Sequence, residues 1–286
     1  MGWHEKGLFI LFASVNIMES KVVFITGGSS GIGKSVGEYL TSKGFIVYGT
    51  TRSLNKYPDH DGFELIEMDV HNFDSIKKAV NRVVDKEGRL DIVINNAGVG
   101  ITGAIEETPD TEITNAFETN FIGPIRMVKA VMPQMRNQSQ GLIINVTSIA
   151  GHMGLPYRGI YSASKGALSL VTEALRMEVK EFGVKVVNVA PGDFATNIAS
   201  GRYHAPHSQH SPYAKNYGHI LEAINEDVDS GQHPIEVAKK IHEIIQKENP
   251  KVTYTVGVFL QRFSLFLKKV LPSKLYEKML LNHYKL

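Results

Sequence analysis

Short apolar runs alternate with longer amphipathic segments along the chain from Lys21 onward. The runs are near-continuous and mostly β-branched, which is typical of parallel strands covered on both faces. They are Val22–Ile25, Ile46–Tyr48, Ile92–Ile94, Leu142–Val146, Val184–Val189 and Val252–Val256. Helical patterns follow over Ile32–Ser42, Asp74–Lys86, a span near Asp110–Met135, Gly159–Phe182 and Pro234–Lys247. The alternation predicts an α/β fold: a single doubly wound, Rossmann-type domain with a mostly parallel sheet of about seven strands and helices on both faces.

One domain is expected over residues 19–286, because no composition shift or linker divides it. Within it, the stretch of about 198–233 is predicted to be a substrate lid. Residues of about 258–286 are predicted to form a C-terminal helical extension.

Residues 1–18 are interpreted as an N-terminal extension, since they precede the first strand by more than this fold needs. The apolar run Gly7–Val15 leaves three interpretations open: an unstructured extension or misplaced start, a packing or membrane-touching segment, and a secretion signal. We expect a chain that starts at Met18 to be as active as the full chain.

Charge and composition exclude several classes of protein. The 31 Lys and Arg residues against 29 Asp and Glu residues give a net charge of +2, so no basic excess points to nucleic acid. The absence of cysteine excludes disulfides, thiolate catalysis and cysteine-bound metal centres, and it fits a cytoplasmic location. No apolar run reaches the roughly 18 residues that a membrane-spanning helix needs.

A glycine-rich turn, Thr26–Gly33, follows the first predicted strand and opens a helix. Its glycines permit a sharp turn and a close approach of the backbone to a pyrophosphate, which the helix N-terminus would attract. Taken alone, the turn fits a tight connection without a ligand equally well. The predicted contacts with a dinucleotide are Gly27, Ser29, Ser30, Gly31, Ile32 and Gly33.

The Gly-x-x-x-Gly-x-Gly spacing of this turn resembles that of the short-chain dehydrogenase/reductase family. Further motifs follow in the order of that family, and the resemblance covers roughly residues 21–250. They are Asn-Asn-Ala-Gly at 95–98, Ser148 after a strand, Tyr161-Ser-Ala-Ser-Lys165 and Pro-Gly-Asp-Phe-Ala-Thr at 191–196.

The resemblance implies a catalytic set of Asn120, Ser148, Tyr161 and Lys165. Tyr161 would be the general acid/base, and Ser148 would hydrogen-bond the reacting oxygen. Tyr161 and Lys165 are four residues apart and share a helix face, where a lysine ammonium favours a phenolate. Lys165 would also hold the nicotinamide ribose, and Asn120 would hold a water that links Lys165 to solvent.

The end of the second strand bears on the choice of cofactor. No carboxylate stands there to bind a ribose 2′-hydroxyl; the chain has Thr51 and Arg52, and Arg52 suits the 2′-phosphate of NADP(H). Ser29 could add a hydroxyl. The family resemblance implies that Asp69 and Val70 contact the adenine. The remaining cofactor contacts that it implies are Asn96, Ala97, Gly98, Tyr161, Lys165, Pro191, Gly192 and Thr196.

Two other chemistries fit the chain poorly. A Ser–His–Asp hydrolase would need Gly-x-Ser-x-Gly, which is absent around Ser148. His204, His207 and His210 recur at a spacing of three, but their segment contains prolines and we predict no metal site. A catalytically silent, dinucleotide-binding regulatory protein stays open as an alternative.

The C-terminal pattern bears on the substrate. Phe259, Phe263, Phe266 and Val270 recur on one helical face, with basic residues elsewhere. This face would serve ordinary packing or a subunit interface; the alternatives are an apolar wall of the pocket and a patch on a membrane surface. With the Thr-Ser-Ile-Ala-Gly centre, the C-terminus most resembles those of hydroxysteroid and retinol dehydrogenases.

The expected function is therefore an NADP(H)-dependent oxidoreductase that interconverts a ketone or aldehyde with an alcohol on a lipophilic substrate. Reduction of small polar carbonyls or acyl thioesters is the alternative substrate range. The expected partners are that small molecule and further copies of the chain, in a homodimer or homotetramer, with peripheral membrane contact as an open option and no nucleic acid.

Overall fold

The computed structural model describes residues 20–194, 202–206, 210–229 and 231–286. The predictions made for the N-terminal extension, for Thr196 and for His207 fall outside these residues.

The described residues contain one seven-stranded sheet in which every pairing is parallel. Its strands are β1 Val22–Ile25, β2 Ile46–Thr51, β3 Glu64–Glu67, β4 Ile92–Asn95, β6 Gly141–Val146, β7 Val184–Pro191 and β9 Thr253–Val256. A separate parallel pair joins β5 Ile101–Thr102 to β8 Tyr203–His204. The order β3-β2-β1-β4-β6-β7-β9 confirms the doubly wound fold and places its switch point between β1 and β4, where ligands bind at the carboxyl ends of the strands.

The helices close to the predicted bounds are α1 Gly31–Ser42, α2 Phe73–Glu87, α5 Gly159–Glu178 and α7 Ile235–Ile245. The others are α3 Asp110–Phe117, α4 Gly123–Asn137, α6 Ala214–Asp229, α8 Phe259–Val270 and α9 Ser273–His283. Local chemistry sets some ends: Asn72 caps α2 by accepting a hydrogen bond from the Ser75 amide, and Gly88 ends it at φ 71°. The single helical span predicted near Asp110–Met135 is wrong in one respect, because a π-helical turn at Glu118–Ile122 separates α3 from α4.

The sheet has a hydrophobic core on each face, as the continuous apolar strands predict. Along β1, Val22 and Phe24 pack with α2 and α4, whereas Val23 and Ile25 pack with α1 and α7. All four side chains are almost completely buried. Successive side chains of a strand point to opposite faces, so a strand covered on both sides must be apolar throughout.

The described residues include no helix with the length and apolar character that crossing a bilayer requires.

Candidate active site

The glycine turn between β1 and α1 has the geometry of an anion cradle. Gly27 and Gly31 have φ of 66° and 53°, in the left-handed region that glycine adopts without strain. A Cβ at Gly33 would overlap the carbonyl oxygen of Gly27, so the helix can approach the turn only without a side chain there. Ser30 precedes α1 and its side chain makes no capping bond, which leaves the helix N-terminus to face a ligand.

Asn96 ties this turn to the end of β4. Its Nδ2 donates to the carbonyl oxygens of Thr26 and Gly27, both at 3.0 Å. In return, the Thr26 hydroxyl accepts from the backbone amides of Asn96 and Ala97, also at 3.0 Å. The two strand ends at the switch point are therefore fixed against each other, and Asn96 acts as a brace for the cradle.

A cavity of about 810 Å³ runs along the carboxyl ends of the strands. It brings together most of the residues predicted from sequence, from the glycine turn to the Pro-Gly motif. On its wall lie Gly27, Ser29, Ser30, Gly31, Ile32, Thr51, Arg52, Asp69, Val70, Asn96, Ala97, Gly98, Ser148, Tyr161, Lys165, Pro191 and Gly192. Gly33 and Asn120 do not line the cavity. Gly33 lies against Gly27, and Asn120 is bonded to Val99 and Ser164, so both support residues that do line it.

One end of the cavity is basic. Arg52 lies there after β2, and Lys56, which the sequence reasoning did not select, lines the same end. The Asp69 carboxylate is engaged locally, because its Oδ1 accepts from the backbone amide of His71 at 2.9 Å. The wall of the cavity thus carries two cations after β2.

Lys165 lies at the other end of this cavity. Its side chain is 4% exposed, and Nζ donates to the carbonyl oxygen of Val146 at 3.0 Å. Burial lowers the pKa of Lys165 to about 8, because the charged ammonium loses its hydration. Tyr161 lies one turn earlier on α5, and the guanidinium of Arg158 stands 5.6 Å from the centre of its ring.

Ser148 lies where the chain leaves β6. Its Oγ accepts a hydrogen bond from the Ala150 amide at 3.1 Å, which holds it at the start of the 3₁₀ turn Ile149–His152. The Ser148 hydroxyl can then donate its proton to an acceptor that enters the cavity. Ser148, Tyr161 and Lys165 all line that cavity.

Asn120 is completely buried in the π-helical turn. Its Oδ1 accepts from the amide of Val99 at 2.8 Å, and its Nδ2 donates to the Val99 carbonyl at 2.9 Å and to Ser164 Oγ at 3.1 Å. It therefore fastens the segment after β4 to α5. π-Helical turns recur at functional sites, and the water-holding role implied for Asn120 stays a prediction.

A second cavity, of about 350 Å³, opens beside Ser148. It shares Ser148, Arg158, Gly192 and Asp193 with the first. Its remaining wall is mostly apolar and comes largely from α8, from α9 and from the residue after α9, through Leu260, Leu267, Tyr276, Met279, Leu280 and Tyr284. Part of the C-terminal extension is therefore a wall of this cavity.

Gln261 locks α8 onto the end of β7. Its Nε2 donates to Oδ2 of Asp193 at 2.7 Å. A Cβ at Gly192 would overlap the Gln261 amide, so the glycine of the Pro-Gly motif leaves space for it. The sequence reasoning missed Gln261, Asp193, Arg158 and Arg202; among these, Asp193 stands within the motif Pro-Gly-Asp-Phe-Ala-Thr at 191–196.

The outward face of α8 remains uncovered. Phe259 is 78% exposed and Phe266 56%, and both stack on Phe263 with ring centres 5.6 and 5.9 Å apart. Packing against the described residues thus does not account for these side chains.

The histidine series is not helical throughout. His204 lies in β8, and its Nδ1 is 3.0 Å from the Thr102 hydroxyl. Across the part of the chain that the structure describes, no cluster of three or more histidine or acidic side chains has the arrangement of a metal site.

Comparisons with known proteins extend these observations. The family model for short chain dehydrogenases matches residues 21–206. A 3-ketodihydrosphingosine reductase from Bacteroides thetaiotaomicron is 38% identical over 261 residues, which cover 91% of this chain and 96% of the relative. An NADPH-dependent 3-dehydrocapnine reductase from Ornithobacterium rhinotracheale is 32% identical over 252 residues, covering 82% and 87%. A solved short-chain dehydrogenase from Streptomyces avermitilis superimposes with a TM-score of 0.75 at 30% identity, covering 88% of this chain and 96% of that one.

Proposed function

The chain belongs to the short-chain dehydrogenase family, and on that premise we propose that it is an NADPH-dependent reductase of ketones carried by lipophilic molecules. The observation that carries the substrate class is the apolar second cavity, which opens at Ser148 and is walled by α8 and α9. A hydrocarbon chain placed there would bring an adjoining carbonyl to the reacting residues. The names of the two reductases described above support a ketone as the reacting group.

The residues present fit a nicotinamide dinucleotide, because the glycine cradle accepts no side chain and faces an uncapped helix end. When bound, the dinucleotide supplies the hydride that reduces the carbonyl carbon. Ser148 donates a hydrogen bond to the carbonyl oxygen and stabilises the charge that develops there. Tyr161 delivers the proton to that oxygen, and Lys165, one helical turn further on, supports the proton transfer.

Arg52 and Lys56 favour the phosphorylated cofactor. A guanidinium pairs with a 2′-phosphate through two parallel hydrogen bonds, whereas the ribose hydroxyl of NADH offers no charge to pair. The dependence on NADPH that the dehydrocapnine reductase's name states supports the same choice.

Oxidation of NADPH, followed by absorbance, tests the proposal. The panel is 3-ketodihydrosphingosine, a steroid ketone, an acetoacetyl thioester and dihydroxyacetone, each with NADPH and with NADH. We expect the highest kcat/KM with a lipophilic ketone and NADPH. Preference for dihydroxyacetone or the thioester would contradict the substrate class. Tight NADPH binding without turnover of any ketone would instead indicate the regulatory protein that sequence reasoning left open.

The exposed aromatic face of α8 suits a bilayer surface. Arg262, Lys268 and Lys269 lie on the same helix, and a basic flank beside exposed phenylalanines suits anionic lipids. The wild type should co-sediment with vesicles of phosphatidylcholine and phosphatidylglycerol. The double variant Phe259→Ser/Phe266→Ser should stay in the supernatant. A double variant that still sediments would contradict the membrane contact.

Light scattering tests the expected homodimer or homotetramer, and dissociation of an oligomer by the double variant would assign this face to a second copy. The cytoplasmic location stays a prediction.

A further inference from the structure

Arg202 is a buried cation beside the reacting centre. Its side chain is 9% exposed, it lines the main cavity with Tyr161, and its Nη1 is buried without a hydrogen-bond partner among the residues that the structure describes. The ion pairs formed among the described residues do not include it. A buried guanidinium that lacks an anion costs folding free energy, so such a group in a ligand cavity points to a ligand that completes it.

The position of Arg202 is set by the pairing of β5 with β8. The Tyr203 amide donates to the Gly100 carbonyl at 3.0 Å, and the Ala205 amide to the Thr102 carbonyl at 2.8 Å. A Cβ at Gly100 would stand 2.9 Å from Cγ of Arg202, so the arginine lies directly against a glycine that makes room for it. This backbone pairing fixes the main chain next to Arg202, and the packing on Gly100 directs the start of its side chain along the cavity.

The charges around Arg202 are mixed. Burial, and then the positive charge of Arg158, lower the pKa of Arg202, whereas Asp193 acts in the opposite direction. Asp193 is already engaged with Gln261. Arg158 and Asp193 line both cavities, whereas Arg202 lines the main one alone, so a second guanidinium and a carboxylate lie between Arg202 and the junction at which the carbonyl would sit.

We propose that Arg202, assisted by Arg158, forms a subsite for an acidic oxyanion on the head group of the ketone substrate. The inference rests on the proposed ketone reductase function and refines it. The substrate is then an amphiphile whose hydrocarbon chain occupies the cavity walled by α8 and α9. Its ketone lies at Ser148 and Tyr161, and a carboxylate, sulfonate or phosphate near the ketone pairs with Arg202. Arginine suits this task because its planar fork binds such oxyanions bidentately.

Two matched ketones test the proposal: 2-oxohexadecane-1-sulfonate, which stays ionised, and its neutral counterpart 1-hydroxy-2-hexadecanone. With saturating NADPH, the wild type should show a kcat/KM for the sulfonate roughly tenfold or more above that for the neutral ketone. Arg202→Leu should remove this preference, and Arg202→Lys should retain part of it. Arg52→Ala, at the opposite end of the same cavity, should weaken NADPH binding but leave the ratio of the two kcat/KM values unchanged.

The outcomes separate the two proposals. If the wild type reduces neither ketone with NADPH, the proposed function fails. If it reduces both without favouring the sulfonate, or if Arg202→Leu keeps the preference, only the oxyanion subsite fails. A large loss of NADPH affinity in Arg202→Leu with an unchanged ratio would assign Arg202 to a cofactor phosphate. An inhibition arm needs no variant: dodecane-1-sulfonate, below its micelle concentration, should inhibit the wild type more strongly than 1-dodecanol does, and equal inhibition would overturn the subsite.

Discussion

The two ends of the main cavity are built in different ways. At the cofactor end, most predicted contacts lie within a few residues of a strand end, and hydrogen bonds from the Asn96 side chain to backbone carbonyls fix the glycine turn. On the substrate side, contacts join segments still further apart in the chain: Tyr217 hydrogen-bonds Thr102, on the wall of the main cavity, across 115 positions, and Tyr276 reaches Met153, in the second cavity, across 123. The first end depends on backbone geometry that few sequences satisfy. The second depends on side chains that can change without disturbing the sheet, so we expect substrate specificity to be set there.

The largest effect is expected from removing the hydroxyl of Tyr161, the proposed proton donor. Tyr161→Phe keeps the ring but removes the proton, so kcat should fall by roughly 10²- to 10⁴-fold while the Kd of NADPH changes only a few-fold. Stopped-flow turnover and fluorescence titration measure the two quantities. Tyr39→Phe is the matched control, because Tyr39 and Lys43 repeat the same spacing on α1, with Nζ 5.3 Å from the ring centre. Near-normal turnover in Tyr161→Phe would refute the assignment.

Lys165 should make folding stability depend on pH. Its pKa is about 8 in the folded chain, against an ordinary value of 10.5. Between these values the unfolded chain binds more protons, so stability rises with pH across this window. The rise attributable to Lys165 should approach about 3 kcal/mol. Urea unfolding of the wild type and of Lys165→Met, from pH 7 to 10.5, gives the difference that isolates it. A difference that stays constant with pH would contradict the burial of a titrating ammonium.

Arg52 should decide the cofactor. Loss of its charge-assisted contact should weaken NADPH binding in Arg52→Ala by roughly ten- to a hundred-fold and leave NADH affinity nearly unchanged. Calorimetric titration with both cofactors measures this. Equal affinity of the wild type for NADPH and NADH would show that the basic end does not discriminate.

The smallest effect is expected at the wall of the second cavity. Met279→Ser places a hydroxyl in the path of a hydrocarbon chain, so kcat/KM for a long-chain ketone should fall about five- to tenfold. The value for a short ketone should stay unchanged. Met177→Ser on α5 is the matched control, since Met177 is 72% exposed and lies outside both cavities. Equal losses for long and short ketones would mean that α9 only supports the fold.

Sequence reasoning reached the sheet, the bounds of most elements and the glycine cradle. The set of Ser148, Tyr161 and Lys165 came from the family resemblance, and helix spacing added that Tyr161 and Lys165 share one face. Sequence reasoning predicted one continuous helix where the structure has α3 and α4, since the π-helical turn between them preserves helical periodicity almost unchanged. It did not select Arg202 or Gln261, which lie in segments without a motif.

What the sequence determined by itself is local: apolar runs that require cover on both faces, glycines that only a tight turn needs, and a tyrosine and a lysine one helical turn apart. These features follow from the backbone and from a few neighbouring side chains. The tertiary structure alone decided the rest. It paired β5 with β8 so that Arg202 rests on Gly100, and it inserted Gln261 beside Gly192, which turned the C-terminal helices into a cavity wall. Such contacts depend on the distance between residues in space, and sequence separation carries no record of that distance.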